Sequence, residues 1–582
     1  MLFFRGNHHA MDKYRHGENP FALVTGSSLG IGKAVAVELA ALHFNVILHA
    51  RTVEELEPVK EEIHKLYPGT RVVCLAQDAA VKVDWPHLLN QVKDLNITVL
   101  VNNVGTSSPF LPFDSLEKSE DDQIEAVIRV NTIFPTQITR NLLPTLMNNS
   151  PSLILNICSG STYAPMAFLG IYCGSKASNL AWSQSLRNEL RLLKRDVECK
   201  AVMTGNVATN GNSIPVDTFV PSAKVYAKSL LARADSSGPV YNGYWRHTPQ
   251  LLICQFLGFF FPSVLDNICA NVAKGLLVWR AQIGDKTALK VTDIPKYRHG
   301  ERPFALVTGA TAGIGKALAF ELARLNFNVI IHGRTQEKLD PIRNELLEKH
   351  PDMSVVCLVQ DASKTADWPA LIKQLEGLRI TVLINNVGAS GPVPYNALEC
   401  ATDEQIETVI RVNTIFPTQL TRNLLPNLIE NAPSLILNLT SGAALVFPPL
   451  LSVYSGTKSS NLAWSQALAH EFHYLKRDVT CKAVMTGSVQ SAGHNRAISA
   501  FIPTSEVYAA SLLARAGTSS LVYAGWWRHA LQASVLLRTI VASSDQTLVC
   551  QRFFDELSAC LRFELGSRRR HKGSVNMAAK YW

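Results

Sequence analysis

TGSSLGIG at residues 25–32 and TGATAGIG at residues 308–315 are one phrase written twice. Each follows the apolar run FALV, at 21–24 and 304–307, and each leads into a helix-like stretch, KAVAVELAALHF or KALAFELARLNF. An apolar run that ends in glycine punctuation and resumes with helical spacing reads as strand, tight turn, helix. The register between the two phrases holds over most of the chain. Gly26 and Gly309, Arg51 and Arg334, and Asn102 and Asn385 are each 283 positions apart. After one deleted residue the spacing becomes 282, linking Asn131 to Asn413, Ser159 to Ser441, Tyr172 to Tyr454 and Lys176 to Lys458. A register kept over that distance is an internal duplication.

Working outward, NVILHAR and NVIIHGR, RVVCLAQDAA and SVVCLVQDAS, ITVLVNNVG and ITVLINNVG, and SLILNICSG and SLILNLTSG supply further short apolar runs in both halves. Strands apolar on both faces, separated by segments long enough for helices, predict a parallel sheet covered on both sides, and right-handed crossovers make it doubly wound. The fold class is therefore α/β, with two tandem Rossmann-type doubly wound parallel-sheet domains. A chain of 582 residues exceeds what one hydrophobic core organises. The expected boundaries are 12-250 and 298-535 for the domains, 251-297 for a hydrophobic connector and linker, and 536-582 for a diverged basic tail.

Composition excludes the disordered and fibrous classes, with 47% hydrophobic and 18% charged residues. The net charge of +9 is spread along both repeats and concentrates only at Arg568 to Lys572, a run that reads as a solvated tail and carries no nucleic-acid expectation. The eleven cysteines include Cys74 with Cys357 and Cys199 with Cys481 at equivalent positions in apolar runs, read as buried thiols. With no CxxC pair, no His-rich cluster and no secretory signal, neither zinc nor disulfides are expected and the compartment is reducing. Residues 251–283 are greasy, but Gln255, Pro262, Asp266, Asn267 and Lys274 interrupt them before about 18 apolar residues accumulate. Both an interfacial helix pair at a membrane surface and a buried connector fit that pattern.

The chemistry lies at equivalent positions of each half. Gly26, Gly30 and Gly32, and again Gly309, Gly313 and Gly315, let backbone approach a pyrophosphate whose charge a helix N-terminus favours. At the end of the second strand stand Arg51 and Arg334, not the carboxylate that holds unphosphorylated ribose, so NADPH is favoured over NADH. Tyr172 and Lys176 are four apart, as are Tyr454 and Lys458, and so share a helix face. An ammonium beside a phenol favours the ionised form and lowers its pKa toward a usable range. Ser159 and Ser441, at the ends of SLILN runs, place a hydroxyl for a substrate carbonyl.

TGxxxGIG, NNxG, Asn, Ser and YxxxK, in that order, resemble the short-chain dehydrogenase/reductase family over nearly all of both repeats. The resemblance implies that Tyr172 and Tyr454 are acid-base groups and that Lys176 and Lys458 bind nicotinamide ribose and tune the tyrosines. It implies further that Ser159 and Ser441 orient the carbonyl, and that Asn131 and Asn413 hold a relay water. It extends cofactor contact to Ser28 and Ile31 with Thr311 and Ile314 in the turns, to Asp78 and Asp361 at adenine, and to Asn103 and Asn386 beside its ribose. Thr209 and Ser491 fall at the nicotinamide amide. No metal is implied.

YRHGENPFALVTGSSLGIGKA, VLVNNVG and LILNICSG are similar to the branch of 17β-hydroxysteroid dehydrogenases and very-long-chain 3-oxoacyl-CoA reductases. That branch implies NADPH-dependent reduction of a hydrophobic ketone, a 3-oxoacyl-CoA or a steroid, at the cytosolic face of the endoplasmic reticulum membrane. MLFFRGNHHAMDKYRHGENP carries no membrane segment of the kind that branch has, which keeps a cytoplasmic location as the alternative. The sequence departs from the family where proline-glycine is usual: Thr204-Gly205 and Thr486-Gly487 stand there. The substrate-side loops NVATNGNSIPVDTF and SVQSAGHNRAISAF differ, so substrate preference is free to diverge while cofactor binding is shared. Relatives pair through the helices bearing the asparagine and YxxxK, so the repeats are expected to form an intramolecular pseudo-dimer. The alternative to a doubly active enzyme is an NADP-binding protein with one copy degenerate and a structural or regulatory role. Two reading frames joined in prediction would leave each half's chemistry unchanged.

Overall fold

The computed structural model describes residues 7, 9–107, 115–209, 214–249, 294–390, 397–491, 502–518, 520–526 and 529. The greasy connector 251–283, the basic tail, and the parts of the substrate-side loops at 210–213 and 492–501 lie outside the described residues. The chain divides into two compact units, of which Met1–Leu531 carries both repeats. The other, Gln532–Trp582, also lies outside the described residues.

Each repeat builds a seven-stranded parallel sheet. The first comprises β1 (Phe21–Thr25), β2 (Asn45–Ala50), β3 (Val72–Ala76), β4 (Ile97–Asn102), β5 (Ser152–Ile157), β6 (Val197–Met203) and β7 (Val240–Asn242), in the order β3-β2-β1-β4-β5-β6-β7. The second repeats that order with β8 (Phe304–Val307), β9 (Asn328–Gly333), β10 (Val355–Val359), β11 (Ile380–Asn385), β12 (Ser434–Leu439), β13 (Val479–Met485) and β14 (Val522–Ala524). These are two tandem Rossmann-type domains. The strand order reverses between β1 and β4, and between β8 and β11, which opens a crevice beyond the carboxyl ends of those strands.

Side chains alternate across each strand, so one sheet feeds two cores. Ala22, Val24, Val46, Val99 and Leu153 face a core private to the first repeat. Leu23, Ile47, Leu100 and Ile154 face a core that also contains Leu306, Ile330, Leu383 and Ile436 of the second. The inner core is therefore continuous through both repeats. Cys199 and Cys481 are buried free thiols as expected, whereas Cys74 and Cys357 are only half-buried because they sit on the edge strands β3 and β10.

The shared core closes around two long helices, Gly170–Leu192 and Ser452–Tyr474. They touch where each has a glycine: a Cβ on Gly174 would lie 2.9 Å from Ser460 Oγ and 3.3 Å from Trp464 Cβ, and one on Gly456 would lie 2.8 Å from Ser178 Oγ and 3.3 Å from Trp182 Cβ. Polar contacts across the repeats come in mirrored pairs. Gln137 Nε2 donates to Asp403 O at 3.0 Å and Gln419 Nε2 to Asp121 O at 2.9 Å, while Asn141 and Asn423 each donate to the opposite Asp403 or Asp121 carboxylate at 3.1 Å. At the centre Arg129 pairs with Glu407 at 2.7 Å, and Arg411 pairs with Glu125. Among the described residues no helix is long and apolar enough to cross a membrane.

Gly456→Val forces a branched side chain into the helix crossing and is expected to destabilise the chain by roughly 1–3 kcal/mol. Denaturant unfolding checks this; an unchanged midpoint would show that the helices yield at the crossing without loss.

Candidate active sites

Both sites form at the reversal of strand order. Gly26 and Gly30 have φ of +63° and +61°, and Gly309 and Gly313 have +65° and +54°, values that admit glycine at little cost. Gly32 is required for a different reason: a Cβ there would lie 2.1 Å from the Gly26 carbonyl oxygen, and one on Gly315 would lie 2.1 Å from that of Gly309. The helices that follow, Gly30–Ala41 and Gly313–Arg324, start at Leu29 and Ala312, which offer no side-chain cap. Asp84, Ser222, Thr402 and Thr504 do cap other helices. Uncapped N–H groups behind a glycine turn form an anion cradle, so these residues fit a dinucleotide pyrophosphate. Ser28 and Ile31, and Thr311 and Ile314, lie in the same turns.

Thr209 and Ser491 fold back over the turns. A Cβ on Gly30 would meet Thr209 Cβ at 3.6 Å, and one on Gly313 would meet Ser491 Cβ at 3.0 Å. Asn103 Nδ2 donates to Thr25 O at 3.0 Å and Gly26 O at 3.1 Å, and Asn386 Nδ2 likewise to Thr308 O at 2.8 Å and Gly309 O at 3.3 Å. Both amide hydrogens thus hold the turn, leaving only each Oδ1 for a ribose. Asp78 Oδ1 accepts from the Ala80 N–H at 2.8 Å and Asp361 Oδ1 from the Ser363 N–H at 2.9 Å. Against burial, the Ser363 N–H and hydroxyl together with Arg334 hold the Asp361 carboxyl below its usual range. Arg51 is exposed and pairs with Glu55 at 2.5 Å. In the second repeat the position equivalent to Glu55 is Lys338, and Arg334 stands near the Asp361 carboxyl.

The catalytic candidates converge across the crevice. Tyr172 and Lys176 occupy the first turns of Gly170–Leu192, with Lys176 Nζ 5.9 Å from the Tyr172 ring centre; Lys458 Nζ is 5.7 Å from the Tyr454 ring. Lys176 Nζ donates to Ile157 O and Lys458 Nζ to Leu439 O, each at 3.1 Å and each the last residue of its strand. Each amine spends one hydrogen on that bond among the described residues, so donors remain on the crevice side. Burial lowers the Lys176 pKa and takes that of Lys458 down to about 8. Asn131 and Asn413 sit in single π-turns, Arg129–Ile133 and Arg411–Ile415, a local widening that recurs at functional sites. Asn131 exchanges hydrogen bonds with the Thr106 backbone at 2.8 and 2.7 Å and donates to Ser175 Oγ at 2.9 Å. Asn413 does the same with Ala389 and Thr457. Ser159 Oγ accepts from Ser161 Oγ at 3.0 Å, and Ser441 Oγ from the Ala443 N–H at 3.2 Å.

One expectation is corrected. The Tyr172 phenol is pushed up, not down: burial dominates, and the Ser159 hydroxyl bonded to it is what pulls the other way. Lys176 Nζ stands 5.9 Å from the ring centre while donating to the Ile157 carbonyl.

Several contributing residues were not singled out from sequence. Gly105 and Gly388 end the NNxG phrases because a Cβ would lie 3.0 Å from Lys176 Nζ or 3.2 Å from Lys458 Nζ. His49 and His332 sit in the otherwise apolar runs NVILHAR and NVIIHGR, which was the available signal. Each Nδ1 accepts from the first glycine N–H of the turn, Gly26 at 3.4 Å or Gly309 at 3.3 Å, and each ring stacks on Phe134 or Phe416.

A parallel sheet, an uncapped helix behind a glycine turn, and serine, tyrosine and lysine gathered at the same sheet end define an oxidoreductase that works between a carbonyl and an alcohol. A family model described as short chain dehydrogenase matches residues 20–214 and 303–500, and the chain belongs to that family. Relatives include a very-long-chain 3-oxoacyl-CoA reductase-like protein of Arabidopsis thaliana, 33% identical over 39% of this chain and 74% of its own length. A very-long-chain 3-oxoacyl-CoA reductase of Caenorhabditis briggsae is 34% identical over 45% of this chain and 82% of its own. Among solved structures, the C-domain of a bacterial malonyl-CoA reductase with NADP aligns over 87% of this chain and 96% of its own at 16% identity, TM-score 0.57, a match in fold spanning both repeats.

Burial takes His49 and His332 down to about 4. An unfolded histidine titrates near 6.5, so between there and 4 the unfolded chain takes up protons that the folded one refuses, and stability falls as pH falls. His49→Asn keeps an acceptor for Gly26 and removes that titration. The variant is expected to lose roughly 2 kcal/mol less than the parent between pH 7 and pH 5 in denaturant unfolding; an equal loss would mean that this ring is not neutral in the fold.

Proposed function

We propose that each repeat binds NADPH and reduces the ketone of a hydrophobic 3-oxoacyl thioester to the alcohol, with Tyr172 or Tyr454 as proton donor. The observation that carries this is the convergence, twice in one chain, of a phenol, a serine hydroxyl and a buried amine at the sheet end where an uncapped glycine-turn helix begins. The relatives named above favour an acyl thioester over a steroid.

When bound, NADPH supplies the hydride. The glycine turns hold its pyrophosphate, Arg51 and Arg334 its 2′-phosphate, Asp78 and Asp361 its adenine, Thr209 and Ser491 its nicotinamide amide, and Lys176 and Lys458 its nicotinamide ribose. Ser159 donates a hydrogen bond to the ketone oxygen and fixes it against the phenol. The raised pKa of Tyr172 keeps that phenol protonated, as an acid for reduction needs to be. As the carbonyl carbon gains hydride, its oxygen takes the phenol proton and becomes the alcohol. The ammonium of Lys176 faces the phenolate left behind, which solvent protons then refill, with Asn131 holding the relay water. Fixing ketone and donors in reactive geometry supplies a further part of the rate.

The proposal covers the whole chain: two domains at 12-250 and 298-535 acting as an intramolecular pseudo-dimer, at the cytosolic face of the endoplasmic reticulum. The mirrored hydrogen bonds between the repeats support the pairing. Tyr172→Phe and Tyr454→Phe are each expected to leave the other repeat turning over. The double variant should lose roughly 10²–10⁴-fold in NADPH oxidation with a long-chain 3-oxoacyl-CoA at an unchanged unfolding midpoint; parental turnover in the double variant would refute the assignment.

A further inference from the structure

Each long helix carries a buried glutamate seventeen residues beyond its tyrosine, Glu189 after Tyr172 and Glu471 after Tyr454. Their exposures are 1% and 3%. A buried carboxyl is costly unless it is hydrogen-bonded, and both reach into the other repeat. Glu189 Oε1 accepts from the Leu398 N–H at 2.7 Å, and the Leu450 N–H lies near enough to the same carboxyl to pull its pKa down. Glu471 Oε1 accepts from the Leu116 N–H at 2.8 Å.

The residues held are not incidental. Leu450 lies four positions before Tyr454, with φ of +61°, a left-handed conformation that leucine adopts only under constraint. Leu398 opens the turn Leu398–Cys400, by which the chain leaving β11 returns toward the site. Leu116 is the counterpart of Leu398 and Phe168, at φ +64°, that of Leu450. In the first repeat these segments wall a cavity of about 110 Å³ beside Tyr172. Leu116, Phe168 and Tyr172 line one side of it, and Thr418, Trp464 and Leu468 of the second repeat, together with Glu471, line the other.

The geometry points to Glu189 and Glu471 as positioning residues that act in trans: each fixes the backbone framing the substrate side of the opposite repeat's active site, so neither site is complete without the other repeat. This rests on the reductase reading for its kinetic consequence but not for the contact itself. Burial pushes Glu189 up to about 8, which agrees with an uncharged acceptor rather than an ion-pair partner.

The test separates the two sites. In a Tyr172→Phe chain only the second repeat turns over, and in a Tyr454→Phe chain only the first. Glu189→Ala is expected to raise KM for the 3-oxoacyl-CoA roughly tenfold in the first background, with kcat changed less, and to leave KM within about twofold in the second background. Glu189→Gln, which keeps an acceptor oxygen, should restore most of the loss. Glu471→Ala should show the reverse pattern. Hydrogen exchange in the full chain gives a readout independent of turnover: the Leu398 and Leu450 amides should lose protection in Glu189→Ala and keep it in Glu189→Gln, while Leu116 stays unchanged. Equal KM changes in both backgrounds, or unchanged exchange at Leu398 and Leu450, would overturn the inference. If no ketone is reduced at all, the reductase reading fails and the exchange result still decides the contact. Should the alanine variant not fold, Glu189→Asp, which shortens the reach by one methylene, is read in the same way.

Discussion

Two helices that touch through glycines set the character of this molecule. With side chains at Gly174 and Gly456 the crossing of Gly170–Leu192 over Ser452–Tyr474 would have to open, since Ser460, Trp464, Ser178 and Trp182 already fill the space. Close approach brings the inner faces of both sheets into one core, in which Trp182 and Trp464 sit with β-strand residues of both repeats. It also puts the far end of each helix beside the neighbour's catalytic segment. The first turns of these helices carry tyrosine and lysine, and their last turns carry the glutamates that cross over. The same rigid rods therefore serve as wall of one site and support of the other.

Burial dominates the electrostatics of each site. It pushes Tyr172 up and Lys176 down, so each group resists ionisation. The phenol is therefore not a preformed phenolate. It is a protonated phenol next to a lysine whose Nζ donates to a strand carbonyl and keeps further donors unspent. That arrangement suits donation of a proton better than its removal, and it makes the proposed direction, ketone to alcohol, the one that the resting protonation state serves. A Cβ at Gly105 would crowd this amine, at 3.0 Å from Lys176 Nζ and 3.3 Å from Asn131 Oδ1.

The glycine turns, the strands and the YxxxK helices were legible because each has a local signature: glycine where φ is positive, unbroken apolar runs where both sheet faces are covered, and a four-residue spacing on one helix face. Thr204-Gly205 looked like a departure, and the structure gives it a local logic. Thr204 Oγ1 bonds the Tyr226 hydroxyl at 2.6 Å and the Gly205 N–H donates to His247 Nδ1 at 3.1 Å; Thr486, Tyr508, Gly487 and His529 repeat both contacts. The partners lie 22 and 42 residues away, beyond the reach of pattern reading. The π-turns at Asn131 and Asn413 escaped for a related reason, because one extra residue in a helical turn leaves no mark in an amphipathic sequence. The direction of the Tyr172 shift was misjudged because spacing shows that an amine is near but not how deeply the phenol is buried.

Joining the copies in one chain also changes how their contacts can drift. In a symmetric dimer a single substitution alters both equivalent contacts, whereas in a tandem it alters one. The interface shows both conditions. Gln137 and Gln419, Asn141 and Asn423, and Arg129 and Arg411 retain identical roles on the two sides. Elsewhere the copies have parted: Glu120 caps its helix and meets Arg422, while Thr402 at the same place caps with a hydroxyl and leaves Arg140 to Asp403. The exchange of Glu55 for Lys338 beside the two arginines has the same one-sided character, and it falls where a nucleotide's 2′ end is expected. Arg51 pairs with Glu55, whereas Arg334 acts on Asp361. Exposed charges of this kind act modestly and are screened as ionic strength rises, so one repeat can change there while the mirrored contacts keep the halves together.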